Sequence, residues 1–145
     1  MKYFTKDWWF SDSEDAEAIF AAYDSYLSTI RDNLPASLLE FKELHTLHDA
    51  KVVSCNFAGN DLTIEFSGWD ITLNYPVRYI LRFSGVSQFD QIFATPGSQP
   101  EIGDLAYWEI ELVNSSIRVN MLFVSTAEFN ILFSGFSFSH ELLRA

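Results

Sequence analysis

The spacing of apolar residues changes once along the chain, near Lys51. Before that point Ala16, Ile19, Phe20, Tyr23, Leu27, Ile30 and Leu34 recur at helical intervals, which predicts a helix over about 13–33. Ser11 stands as its N-cap with Glu14 three residues on, a capping box. Asp12, Glu14, Asp15 and Glu17 crowd the first turn, where the helix dipole favours negative charge, and Pro35 ends the run. A second, shorter helix is predicted through "ASLLEFKEL", and Lys2–Thr5 reads as a short strand.

From Lys51 onward the period is two. Val53, Cys55 and Phe57 alternate with Ser54 and Asn56, Gly59-Asn60 makes a two-residue hairpin turn, and Leu62, Ile64 and Phe66 return on the apolar face. Further strands are predicted at Ile71–Tyr75, Val77–Phe83, Leu105–Leu112, Ile117–Val124 and Phe129–Phe138. Clean alternation implies antiparallel pairing with one face buried, and the long helix is the expected cover for that face. The fold class expected is α+β: a single antiparallel, strongly twisted sheet of about six strands with a long N-terminal helix packed on one face. A chain of 145 residues forms one domain, helical over about 8–45 and sheet over about 51–139.

Three segments, "LTIEFSG", "YILRFSG" and "FNILFSG", share the ending Phe-Ser-Gly, at Phe66, Phe83 and Phe133. Their unequal separations exclude a repeat period, and each glycine is expected to permit a bulge or a strand end. A bulge would return Trp69, Ile71 and Leu73, and likewise Phe136 and Phe138, to the core face. The longest irregular stretch, Gly85–Asp104, is predicted to contain a helical turn around Asp90–Phe93.

Composition narrows the function classes. Hydrophobic residues make up 48% of the chain and aromatic residues 17%, which excludes a disordered tail. Twenty acidic against nine basic residues give a net charge of −11, which argues against nucleic acid and anionic membranes and towards a basic protein as partner. The same charge also serves solubility. The single Cys55 forms no intramolecular disulfide and no cysteine-based zinc site, and it fits a reducing compartment. Acidic residues stand where a leader peptide needs an apolar run, and no stretch has the roughly 20 apolar residues that span a bilayer. A cytoplasmic location is expected.

Candidate chemistry concentrates in "ELHTLHDA", where His45 and His48 stand at i, i+3 beside Asp49 and Glu43. One reading is a metal or acid–base site, although catalytic zinc needs three protein ligands and the only other histidine is His140. The other reading is structural: Asp49 holds the helix-to-strand turn by accepting backbone hydrogen bonds, Leu47 is buried, and His45 lies near the surface. No nucleotide or phosphate motif is present and no cofactor is expected. Cys55 on an apolar strand face would stay protonated, and there is no Gly-x-Ser-x-Gly elbow. Glu109 and Glu111 share a strand face, with Arg118 placed across the "VNSS" turn to pair with Glu111. Trp8 and Trp9 are candidates for partner contact, one of them packing into the core. The acidic candidates for the same role are Asp12, Glu14, Asp15, Asp90, Glu101 and Asp104.

The opening "MKYFTKDWW", together with "LHDAKV" and the "GNDLTIEF" hairpin, resembles a family of small bacterial proteins known only as a domain of unknown function. That resemblance covers about the first half of the chain. It implies a bacterial origin and an α+β fold, and it supplies no catalytic residues. In general type the chain also looks like bacterial immunity proteins, which block a partner toxin. The function expected is therefore a non-enzymatic, acidic protein-binding domain, monomeric or homodimeric. The alternatives are an enzyme using His45, His48 and Asp49, and a structural homo-oligomer.

Overall fold

The computed structural model describes residues 2–10, 16–93 and 102–143. Ser11, Asp12, Glu14, Asp15 and Glu101 lie outside the described residues.

The helices come first: α1 (Lys6–Phe10), α2 (Ala16–Ile30), a 3-10 turn over Arg31–Asn33, and α3 (Ala36–Leu44). Thr5 caps α1, its Oγ1 accepting the Trp8 N–H at 3.1 Å. Among the described residues eight strands follow: β1 (Lys51–Ala58), β2 (Asp61–Trp69), β3 (Pro76–Ser84), β4 (Gln88–Ile92), β5 (Leu105–Val113), β6 (Ser116–Phe123), β7 (Glu128–Phe133) and β8 (Gly135–Leu142). They form two antiparallel sheets of four, in the orders β1-β2-β3-β8 and β4-β7-β6-β5.

The expected α+β fold, one six-stranded sheet under a long helix, is therefore wrong, and the molecule is mostly β. The apolar faces of the two sheets pack on each other, and Leu38 and Phe41 of α3 complete the cover of the first sheet beside β8. Leu62, Ile64 and Phe66 of β2 and Tyr79, Leu81 and Phe83 of β3 share one core with Val119, Met121 and Phe123 of β6 and Phe129, Ile131 and Phe133 of β7. The rings of Phe83 and Phe133 meet edge to face at 4.9 Å across the two sheets. Helix α2 buries only Tyr23 and Ile30, too narrow a stripe to cover a sheet.

The Phe-Ser-Gly repeats show where the single sheet divides. "FNILFSGFSF" does not run as one strand. At Ser134 the chain leaves β7 in one sheet and enters β8 in the other. The motif ending β3 does the reverse, leading into β4. The two corners pack on each other: the Ser134 N–H donates to the Ser84 carbonyl at 3.1 Å. A Cβ on Gly85 would stand 2.1 Å from Ser134 Oγ, and one on Gly135 would stand 2.3 Å from Ser84 Oγ. Gly85 also has φ +61. Where a helical turn was expected around Asp90–Phe93, Asp90–Ile92 consequently belongs to strand β4, which β7 pairs from Gln88 to Ile92.

The third repeat behaves differently. β2 continues through Gly68 to Trp69, and Ile71–Tyr75 is a loop instead of a strand. The Asp70 carboxylate organises it, accepting from Thr72 Oγ1 at 2.6 Å and from the N–H groups of Asn74 and Tyr75 at 2.9 and 3.0 Å. Such local capture competes with strand pairing. Ile71, Leu73 and Tyr75 are left exposed. β1 also departs from expectation. It is an edge strand, with a register irregularity between Val52 and Ser54, and Val53, Cys55 and Phe57 are exposed. Lys2–Thr5 forms no strand.

Candidate functional site

The segment between α3 and β1 is built by backbone constraints. The His45 N–H closes α3 on the Phe41 carbonyl at 3.0 Å, and the chain then turns extended. Thr46 Oγ1 accepts the His48 N–H at 3.1 Å, and the Ala50 N–H donates to Leu47 O at 3.0 Å. Leu47 and Ala50 are fully buried. Asp49 takes φ 61, a left-handed conformation that Asp tolerates better than most side chains. Its N–H donates to Leu105 O at 3.1 Å, and Ala50 O accepts the Leu105 N–H at 2.8 Å.

The junction is thus capped by Thr46, not by the Asp49 carboxylate. Asp49 Oδ2 instead lies 3.5 Å from His48 Nε2, with both side chains more than half exposed. His45 is not peripheral. It is half-buried, stacked on Phe41 and in edge contact with Tyr79 and Phe138. The ring of His140 lies 4.4 Å away, centre to centre. Burial lowers the His45 pKa, the neighbouring His140 lowers it further, and Glu40 acts in the opposite sense. His45, His48 and Asp49 therefore do not converge on one point. Among the described residues no group of three or more His, Cys, Asp or Glu side chains is placed to hold a metal ion.

What this segment does border is a cleft of about 310 Å³, walled by Phe4, Phe20, Tyr23, Tyr107 and Trp108, with His45, His48 and Ile71 also lining it. Asp24 and Lys42 supply its charge. Trp8 abuts the cleft, its ring in edge contact with Phe20 at 5.9 Å and Tyr107 at 5.1 Å. Trp9 reaches Tyr107 at 6.0 Å. Both tryptophans are half-buried, where one core and one exposed residue were expected.

The wall stands because of a residue that the sequence did not single out for this role. Glu109 of β5 is 1% exposed and accepts the backbone N–H groups of Lys2, Tyr3 (2.9 Å) and Phe4 (3.2 Å). Three N–H donors satisfy the buried carboxylate and fix Phe4 in the cleft. A glutamate directly between Trp108 and Ile110 in "AYWEIELV" is the available signal. The expected pair of Arg118 with Glu111 is present, at 2.7 Å. Asp104 lies outside the cleft and pairs with Lys51 at 3.4 Å. Asp90 lines a separate polar pocket on the outer face of the second sheet.

The fold and cleft define an acidic, mostly β protein with an aromatic recess at one sheet edge. Compared with known proteins, the chain matches no family model and no curated sequence. No helix among the described residues is long and apolar enough to cross a membrane.

Proposed function

We propose that the chain is a non-enzymatic binding domain for a basic protein, of the general type of an immunity protein that inhibits a toxin, acting in the cytoplasm. The observation that carries this reading is an aromatic-walled recess, with Phe20 44% exposed, on a protein of net charge −11. Aromatic side chains in a recess anchor protein partners, and the surrounding charge steers oppositely charged ones. The lone Cys55 supports the reducing compartment. The resemblance of "MKYFTKDWW" and "LHDAKV" to small bacterial proteins is consistent with this type.

The test is capture of a partner from native cells with the wild-type chain and with Phe20→Ala. The reading expects a basic protein held by the wild type, released by salt, and held at least tenfold more weakly by the variant, about the loss for a hot-spot side chain. Capture unchanged by both salt and the variant would overturn it.

A second reading, self-association, is favoured by the edge strand β1, which among the described residues pairs only with β2 and exposes Val53, Cys55 and Phe57. Light scattering over a concentration series tests it, and a monomer at every concentration rejects it.

A further inference from the structure

The outer face of the second sheet carries a row of polar side chains that crosses all four strands. Glu109 pairs in register with Asn120, Asn120 with Asn130, and Asn130 with Asp90. In the next row Glu111 stands opposite Arg118. Over these rows lies a pocket of about 330 Å³, lined by Lys2, Gln88, Asp90, Glu111, Arg118, Asn120 and Asn130.

Two features mark the pocket as more than a wet sheet surface. Asn120 is 2% exposed, a degree of burial unusual for a carboxamide. Asn130 Oδ1 is buried and finds no hydrogen-bond partner among the described residues. An unpaired buried acceptor is costly unless something donates to it.

The chemistry of the missing donor follows from the neighbours. The Arg118 guanidinium is held by Glu111 at 2.7 Å, and Lys2 Nζ lies over the rings of Tyr3 and Tyr26 at 5.8 and 5.4 Å. Both cations are thus engaged. Among the described residues Asp90 is bonded by the Gln88 carboxamide, a neutral donor. The lining carries two carboxylates, Asp90 and Glu111, and two cations, Lys2 and Arg118. Glu111 is paired with Arg118, which leaves Asp90 the carboxylate without a cationic partner among the described residues.

We propose that this pocket receives the guanidinium or primary ammonium group of an arginine or lysine side chain, which donates to Asn130 Oδ1 and pairs with Asp90. The proposal rests on the reading of the chain as a binder of a basic protein and gives that partner a point of entry away from the aromatic cleft. A planar guanidinium has enough donors to serve both acceptors at once.

The test is titration of the full chain with N-acetyl-arginine amide and N-acetyl-lysine amide, followed by NMR of the side-chain amide signals of Asn120, Asn130 and Gln88. The probe is a small molecule, so the result does not depend on whether a protein partner is found. Saturable shifts of the Asn130 signal are expected. Asp90→Asn, an isosteric change on a half-exposed side chain, should weaken them by at least about tenfold, the scale of one charge-assisted hydrogen bond. Asn130→Ala, read at the side-chain amides of Asn120 and Gln88, should weaken binding similarly, with an otherwise unchanged backbone spectrum showing that the fold is kept. Shifts that never saturate, or equal shifts from acetate, would overturn the proposal, as would binding untouched by either variant. In those cases the carboxamide is merely hydrated.

Discussion

The two sheets end in edges that are treated in opposite ways. The edge at β5 is closed. The N–H groups of Ile110 and Leu112, which among the described residues have no strand to pair with on that side, donate to the hydroxyls of Tyr23 and Tyr26 on α2 at 2.7 and 2.8 Å. The Leu105 N–H donates to Ala50 O, and Glu109 gathers the N-terminal backbone over the same strand. The edge at β1 is open. Among the described residues it pairs only with β2, and Val53 is 56% exposed. β8 stands between the extremes, since Ser37 Oγ of α3 donates to the Phe136 carbonyl at 2.5 Å and Phe41 packs on Phe136 and Phe138. An open edge is a template for another strand, and a closed one is not. The helices of this chain therefore close edges and, through Leu38 and Phe41 of α3, cover only the β8 side of one sheet's face, where cover of the whole face was expected of a long helix.

The largest effect should come from Glu109→Ala. It leaves the N–H groups of residues 2–4 without their acceptor, and we expect a loss of roughly 3 kcal/mol. Urea unfolding should show this as a lower midpoint at unchanged slope. If the midpoint hardly moves, the closed edge does not depend on Glu109.

Tyr23→Phe removes one buried acceptor and nothing else in volume. The Tyr23 phenol is pushed up by burial, so it stays protonated and its oxygen serves the Ile110 N–H. The expected loss is about 1–2 kcal/mol, with Tyr26→Phe about half of that because Tyr26 is only partly buried. Hydrogen exchange at Ile110 and Leu112 locates the effect. Equal exchange in wild type and variants would remove the edge-closing role.

The open edge should respond differently. Val53→Lys is expected to change stability by no more than about 0.5 kcal/mol, as exposed substitutions do. It should also lower any concentration-dependent self-association, since edge lysines deter pairing. A large loss of stability would mean that β1 is not bare in solution.

The smallest effect is a pH dependence at the half-covered edge. His45 has its pKa lowered in the folded state, so between its folded and unfolded values the unfolded chain binds more protons. The stability it contributes is complete above about pH 6.5 and declines as pH falls through the lowered value. His45→Gln should flatten this slope while leaving the acid limb below about pH 4 in place. The folding free energy measured from pH 7.5 down to 5 checks it, and an unaltered slope assigns the dependence to other groups.

Much of the secondary structure was legible in the residues. α3 coincides with "ASLLEFKEL", the Gly59-Asn60 hairpin joins β1 to β2, and β3, β5 and β6 lie where the alternation put them. These are local signals: period, turn residues and helix stops. In the candidate site, Leu47 is buried as expected, and Trp8 borders the cleft, but Phe4, Phe20 and Glu109 were not foreseen there. No local signal links Glu109 to residues 2–4, because their separation in sequence exceeds 100 positions.

By itself, then, the sequence determined which stretches alternate, where the Gly59-Asn60 hairpin turns, and that the protein is acidic. Only the tertiary structure decided which sheet each strand joins. Alternation says that a strand has one apolar face and is silent about what covers it. The same pattern in "FNILFSGFSF" serves one long strand or two strands of different sheets. The outcome rests on a close approach between Ser84-Gly85 and Ser134-Gly135, segments about fifty residues apart that meet only after folding.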